Sequence, residues 1–144
     1  MPIPAAKAMR RLCELKDWSI TNLEAQKLLY FAQMIALGEH ERPLVSGTFE
    51  AWDLGPVHPD AYHKAKLFGA KPIKPFIFKT RGPIREWEGV FERTLDVFGD
   101  LTGGQLVAES HWDRGAWAAH YRQGAKGVEI PNGDIAREYR DRLH

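Results

Sequence analysis

A chain of 144 residues, 44% hydrophobic and 27% charged, has the make-up of one ordinary globular domain, taken here as residues 1–144. Its 20 basic and 19 acidic residues leave a net charge of +1, without the overall basic excess usual in nucleic-acid binders. Cys13 is the only cysteine, which excludes an internal disulfide; no apolar run approaches the ~18 residues of a membrane span, so a reduced, cytoplasmic setting is expected.

Residues 4–16 predict a first helix, with Ala5, Met9, Leu12 and Cys13 on its apolar side and Lys7, Arg10, Arg11 and Glu14 opposite. Thr21 and Glu24 have the spacing of a capping box, in which each side chain satisfies the other's free backbone amide. The helix they open carries Leu28, Leu29, Tyr30, Phe31, Ala32, Ile35 and Ala36. Apolar on most of its circumference, it belongs at the centre of a domain, with Gly38 as its stop.

Thr48–Trp52 alternates and is rich in strand formers, so it predicts a short strand. Leu54–Pro59 reads as a rigid turn, in which Gly55 supplies positive φ and Pro56 and Pro59 restrict their predecessors. Pro59 suits the first turn of a third helix over about 59–68, and Asp60 complements its dipole. Residues 70–82, with Pro72 and Pro75, predict an extended edge segment.

Pro83 is expected to open a fourth helix whose Ile84, Trp87, Phe91, Leu95 and Phe98 form one face, closed by Gly99. Thr102 and Gln105 repeat the capping box at a fifth helix. Residues 114–123 predict a sixth, residues 124–130 a short strand, and Asn132 the cap of a last helix aligning Ile135, Tyr139 and Leu143. The densest basic clusters are Arg137, Arg140 and Arg142, and Arg10 with Arg11, both read as solvated helix faces.

Catalytic and metal-binding patterns are missing. None of His40, His58, His63, His111, His120 and His144 belongs to an HExxH motif or a zinc-spaced cluster. Ser46 and Ser110 lack a nucleophile elbow, and Gly103-Gly104 lacks the Lys and Ser/Thr of a phosphate loop. No cofactor and no metal are expected. The aromatics Trp52, Trp112, Trp117 and Tyr121 fall in loops or at helix ends, where they either cap the core or serve as anchors for a protein partner.

Two motifs do carry a signal. Gln26-Lys-Leu-Leu-Tyr-Phe-Ala32, followed by Ala51-Trp-Asp-Leu-Gly-Pro-Val57 and Tyr62, resembles the Panacea-domain antitoxins, a family that includes SocA-like proteins and phage-associated relatives. His111 with Ala116-Trp117 is similar to the family's later helix–histidine–tryptophan segment, although Ala116 stands where a proline is usual and Leu54 where many members have an aromatic.

The resemblance implies a mainly helical fold with minor β structure. It also implies a non-enzymatic antitoxin that binds and neutralises a cognate protein toxin, with the SocA-like branch adding delivery of that toxin to an ATP-dependent protease. Leu28, Leu29, Tyr30, Phe31, Gly55 and Pro56 are read as structural members of the motif. Trp52, Val57, His58, Trp112, Trp117 and Tyr121 are the candidate toxin contacts. Two rival readings are a small hydrolase using His58, His63 or His111, and a DNA-binding regulator of its own operon; the even charge argues against nucleic acid as a partner.

Overall fold

The computed structural model describes residues 1–125 and 127–143. Among these residues the chain forms seven α-helices and a small sheet: α1 (Ala5–Leu15), α2 (Asn22–His40), β1 (Phe49–Trp52), β2 (Gly55–Val57), α3 (Pro59–Ala65), α4 (Glu88–Phe98), α5 (Gly103–Ser110), α6 (Ala116–His120), β3 (Glu129–Ile130) and α7 (Asn132–Arg142). The fold is mainly α with minor β.

The long helix α2 is the axis of the molecule. Thr21 and Glu24 form the reciprocal capping box, and every residue from Ala25 to Ala36 is buried. Around it pack α1, α4, α5, α7 and β2. Phe31 stacks on Phe98 of α4 with centroids 4.0 Å apart, while Tyr30 meets Phe49 of β1 edge-on at 5.5 Å. Both geometries are favoured for aromatic quadrupoles and fix the helix against its neighbours.

Gly38 does not stop α2. The helix runs to His40 and ends at Glu41, which takes the left-handed conformation with φ 56°. Gly38 instead lets α7 approach, since a Cβ there would run into the Tyr139 ring. Arg10 is also misplaced by periodicity: it is buried, and its guanidinium bonds Glu14 at 2.8 Å and the Gly82 carbonyl.

The sheet is antiparallel in the order β2-β1-β3. Trp52 pairs with Gly55, so Asp53 and Leu54 form a two-residue hairpin loop, and the expected turn after Leu54 is in fact the second strand. Gly55 has φ 116°, and a Cβ there would sit 2.5 Å from Ser110 Oγ and 2.7 Å from Lys27 Cε. Backbone freedom and close approach both require glycine.

Other boundaries shift for local reasons. Residues 70–82 are not an extended strand. Pro72 makes one isolated bridge to Thr21, and a 3-10 turn at Pro75–Ile77 follows, because the two prolines break any ladder. A 3-10 turn at Arg85–Trp87 precedes α4. The sixth helix is confined to Ala116–His120, and the last strand to Glu129–Ile130, the expected 124–130 span including Lys126, outside the described residues. Asn132 is the first residue of α7 rather than its cap; its Oδ1 accepts from Gln33 Nε2.

Candidate functional site

The start of α2, the β1–β2 hairpin, α3 and residues 124–125 enclose an open cleft of about 540 Å³. Leu23, Trp52, Leu54, Val57 and Tyr62 supply apolar walls, and Asn22, Gln26 and Lys27 come from α2. Leu54, at the hairpin tip, is 57% exposed.

Polar side chains of α2 set the shape of this cleft by bonding the backbone of other segments. Asn22 Nδ2 donates to the Tyr62 carbonyl at 3.2 Å. Gln26 Nε2 donates to Asn22 Oδ1, and Gln26 Oε1 accepts the His58 amide at 2.9 Å. Lys27 Nζ donates to the Pro56 carbonyl at 3.0 Å. The first two turns of α2 thereby give partners to the Pro56 carbonyl of β2, the His58 amide before α3 and the Tyr62 carbonyl within it.

Lys27 is fully buried and forms no ion pair within the described residues. Burial pushes its ammonium down to about 7, because charge is costly away from water. The pKa of His111 is lowered as well, first by its own burial and then by the Lys27 charge. The His111 ring stacks on Trp117 at 3.8 Å with 2° between planes, and Trp117 stacks in turn on Tyr121 at 4.6 Å.

This three-ring column holds the hairpin from behind. Trp117 Nε1 donates to the Trp52 carbonyl at 2.7 Å, and the Tyr121 hydroxyl donates to Asp53 Oδ1. Trp52 itself donates from Nε1 to Glu50 and leans edge-on against Tyr62 at 4.9 Å. Trp117 and Tyr121 therefore position the hairpin, whereas Trp52 and Leu54 line the cleft.

The six candidate contacts separate accordingly. Trp52 and Val57 lie on the cleft wall. His58, only 1% exposed, lies inward of the cleft: its ring packs on Phe49 and its Nε2 faces the Ser46 carbonyl at 2.8 Å. Trp112 stands apart from the cleft, beneath the Arg142 guanidinium at 4.8 Å. Of the motif residues, Leu28, Leu29, Tyr30 and Phe31 are core, and Gly55 and Pro56 belong to β2.

The histidines do not converge. His58 lies on Phe49, His111 on Trp117, and His120 pairs with Asp134 at 2.6 Å, while His63 is exposed on α3. His144 lies outside the described residues. Among the described residues, no group of three or more His, Cys, Asp or Glu side chains gathers in a way that could hold a metal ion. No helix among them is long and apolar enough to cross a membrane. Cys13 is buried, and burial with the nearby Glu14 charge raises its thiol to about 12, which keeps it protonated.

Sequence reasoning missed Asn22, Gln26, Lys27 and Gln33. The available signal was their polarity within an otherwise apolar helix, since such residues are buried only with partners to bond. Gln33 shows the same logic, its Oε1 accepting the Leu44 and Val45 amides.

No solved structure matches the chain. A curated relative, "Antitoxin SocA" of Caulobacter vibrioides (strain NA1000 / CB15N), is 42% identical over 113 residues, covering 70% of this chain and 60% of the relative. The chain thus spans about three fifths of that relative's length. The family described as "Antitoxin SocA-like, Panacea domain" matches residues 25–118, which run from α2 through the hairpin to the Trp117 column, and the chain belongs to that family.

Proposed function

We propose that this protein is a non-enzymatic antitoxin that binds a cognate protein toxin and neutralises it through the α2–hairpin cleft. The observation that carries this reading is the cleft itself: apolar walls, an exposed Leu54 at its lip, and a hairpin held rigid by the stacked rings. An apolar pocket on a preorganised frame suits a buried anchor from a partner, because little ordering entropy is lost on docking. Membership of the antitoxin family supports a protein toxin as that partner.

Co-expression with the product of the adjacent gene tests the reading. The wild-type chain should restore growth and co-purify with that product. Leu54→Asp, which places a charge at the exposed tip, should abolish both while leaving thermal unfolding unchanged. Full rescue by Leu54→Asp would remove the cleft from the mechanism, and absence of any wild-type complex would remove the antitoxin reading. Toxin half-life separates two modes of action: faster loss in the presence of this chain supports delivery to an ATP-dependent protease, and slower loss supports sequestration.

A further inference from the structure

The near-neutral net charge hides a segregation. Residues 61–85 contain seven Lys or Arg and no Asp or Glu, so the other 13 of the 20 basic residues share the remainder with all 19 acidic ones, a balance of −6 there. The arginine clusters singled out by sequence are largely engaged: Arg10 and Arg11 pair with Glu14 and Glu88, Arg137 with Asp134, and Arg142 with Glu138 and Glu109. By contrast, Lys64, Lys66, Lys71, Lys74 and Lys79 are all exposed, and none forms an ion pair among the described residues.

This strip is anchored. The Ile73 amide donates to the Ile20 carbonyl at 2.9 Å, and Phe78 is buried against Trp18 at 5.9 Å. The lysines therefore stand at fixed stations along one backbone path. Between them project Leu67, 63% exposed, and Phe76, 70% exposed, the latter touching Phe68 edge-on at 5.6 Å. Lys66 also lines the cleft, as do Gly69 and Ala70, so the strip begins at the cleft mouth.

We propose that residues 64–79 are a basic docking strip that receives an acidic, apolar-flanked polypeptide segment of the same partner whose anchor fills the cleft. This rests on the antitoxin reading and adds the partner's chemistry. An apolar pocket bordered by charge is the usual division between the core and rim of a protein interface. Rim charges chiefly steer association, drawing an oppositely charged face into register. A polypeptide fits better than nucleic acid because it can set an apolar anchor in the cleft beside Asp53 and keep its acidic residues on the strip, whereas a continuous phosphate backbone reaching the cleft would meet the Asp53 charge.

Association kinetics of the full chain with the product of the adjacent gene test the proposal. Replacing Lys64, Lys71 and Lys74 together by Glu should lower the association rate about tenfold or more at low salt and flatten its salt dependence. Replacement by Gln should produce a smaller loss, and thermal unfolding should be unchanged in both. A wild-type complex whose association rate is the same in all three proteins overturns the strip and leaves the antitoxin reading standing. Failure of the wild-type chain to form a complex removes both. Retention of a fluorescent single-stranded DNA by the wild type, lost in the Glu variant, would assign the strip to nucleic acid and overturn the proposal.

Discussion

Tyr30 and Glu138, 108 residues apart, share a 2.6 Å hydrogen bond in the core. The same Glu138 oxygen accepts the Ala116 amide at 3.0 Å, and the other accepts Arg142 Nε at 2.8 Å. A single buried carboxylate thus joins α2, the start of α6 and α7. Burial, reinforced by the Glu138 charge and hydrogen bond, holds the Tyr30 phenol well above its usual pKa, so it remains a donor. Gly115 leaves room for this arrangement, since a Cβ there would lie 2.9 Å from Glu138 Oε1. Because α6 carries Trp117, the network also supports the hairpin at one remove.

Truncating Glu138 should therefore be costly. Glu138→Ala strands the Tyr30 hydroxyl, the Ala116 amide and one face of the Arg142 guanidinium, and removing one partner of a buried pair typically costs ~3–5 kcal/mol. Arg142 also reaches Glu109 and is partly exposed, which places the loss toward the lower end of that range. Glu138→Gln retains one acceptor oxygen and should lose only about 1–2 kcal/mol. Urea unfolding monitored by tryptophan fluorescence measures both. A Glu138→Ala protein within ~0.5 kcal/mol of wild type, the scatter of ordinary surface changes, would show that the carboxylate is not structural.

Gly38 and Tyr139 give a prediction whose sign is opposite to helix propensity. Alanine in place of an interior helical glycine gains ~1 kcal/mol where nothing obstructs it. Here the new Cβ would meet the Tyr139 ring near its attachment, where the ring has little freedom to swing away. Overpacking of this kind costs ~1–3 kcal/mol, so Gly38→Ala should destabilise. It should also loosen the Tyr139 hydroxyl bond to Glu39, 2.7 Å long. Adding Tyr139→Leu should recover part of the loss, a coupling that a double-mutant cycle reads directly.

Much of this architecture was legible in the chain because local chemistry decided it. Both capping boxes were readable, since Thr21–Glu24 and Thr102–Gln105 act within four residues. The central position of α2 was legible from an apolar surface that covers most of its circumference. The extension of α2 past Gly38 was not, because the glycine answers to a tyrosine a hundred residues away. The burial of Arg10 depends likewise on Glu14 and a carbonyl at Gly82. For the site, the motif drew attention to Trp52 and Val57, and the structure places both on the cleft wall. Periodicity could not reveal that His58 turns inward onto Phe49, or that the Trp117 and Tyr121 rings hold the hairpin from behind. Those roles arise from side-chain geometry between segments that have no short-range relation.

Lys27 offers a pH signature for the floor of the cleft. Its ammonium, ordinarily near 10.5, is pushed down to about 7 by burial alone, with the Pro56 carbonyl as its hydrogen-bond partner. Between these values the unfolded chain carries a proton on this group that the folded chain has largely released. Stability must then rise with pH across the window, since it increases wherever the unfolded state binds more protons. Below about pH 7 both states are protonated, the burial penalty is complete, and this group contributes no slope. Cys13 acts in the opposite sense from about pH 9 upward, because its folded thiol is raised to about 12. That contribution is common to wild type and to Lys27→Met, so the difference between the two isolates the lysine. From pH 7.5 to 9.5 the wild type should gain on the order of 2 kcal/mol relative to Lys27→Met, as one pKa unit corresponds to about 1.4 kcal/mol. Urea unfolding of both proteins at the two pH values provides the measurement. Parallel pH profiles would mean that Lys27 keeps its proton in the fold, and that the α2 side of the cleft carries a permanent positive charge.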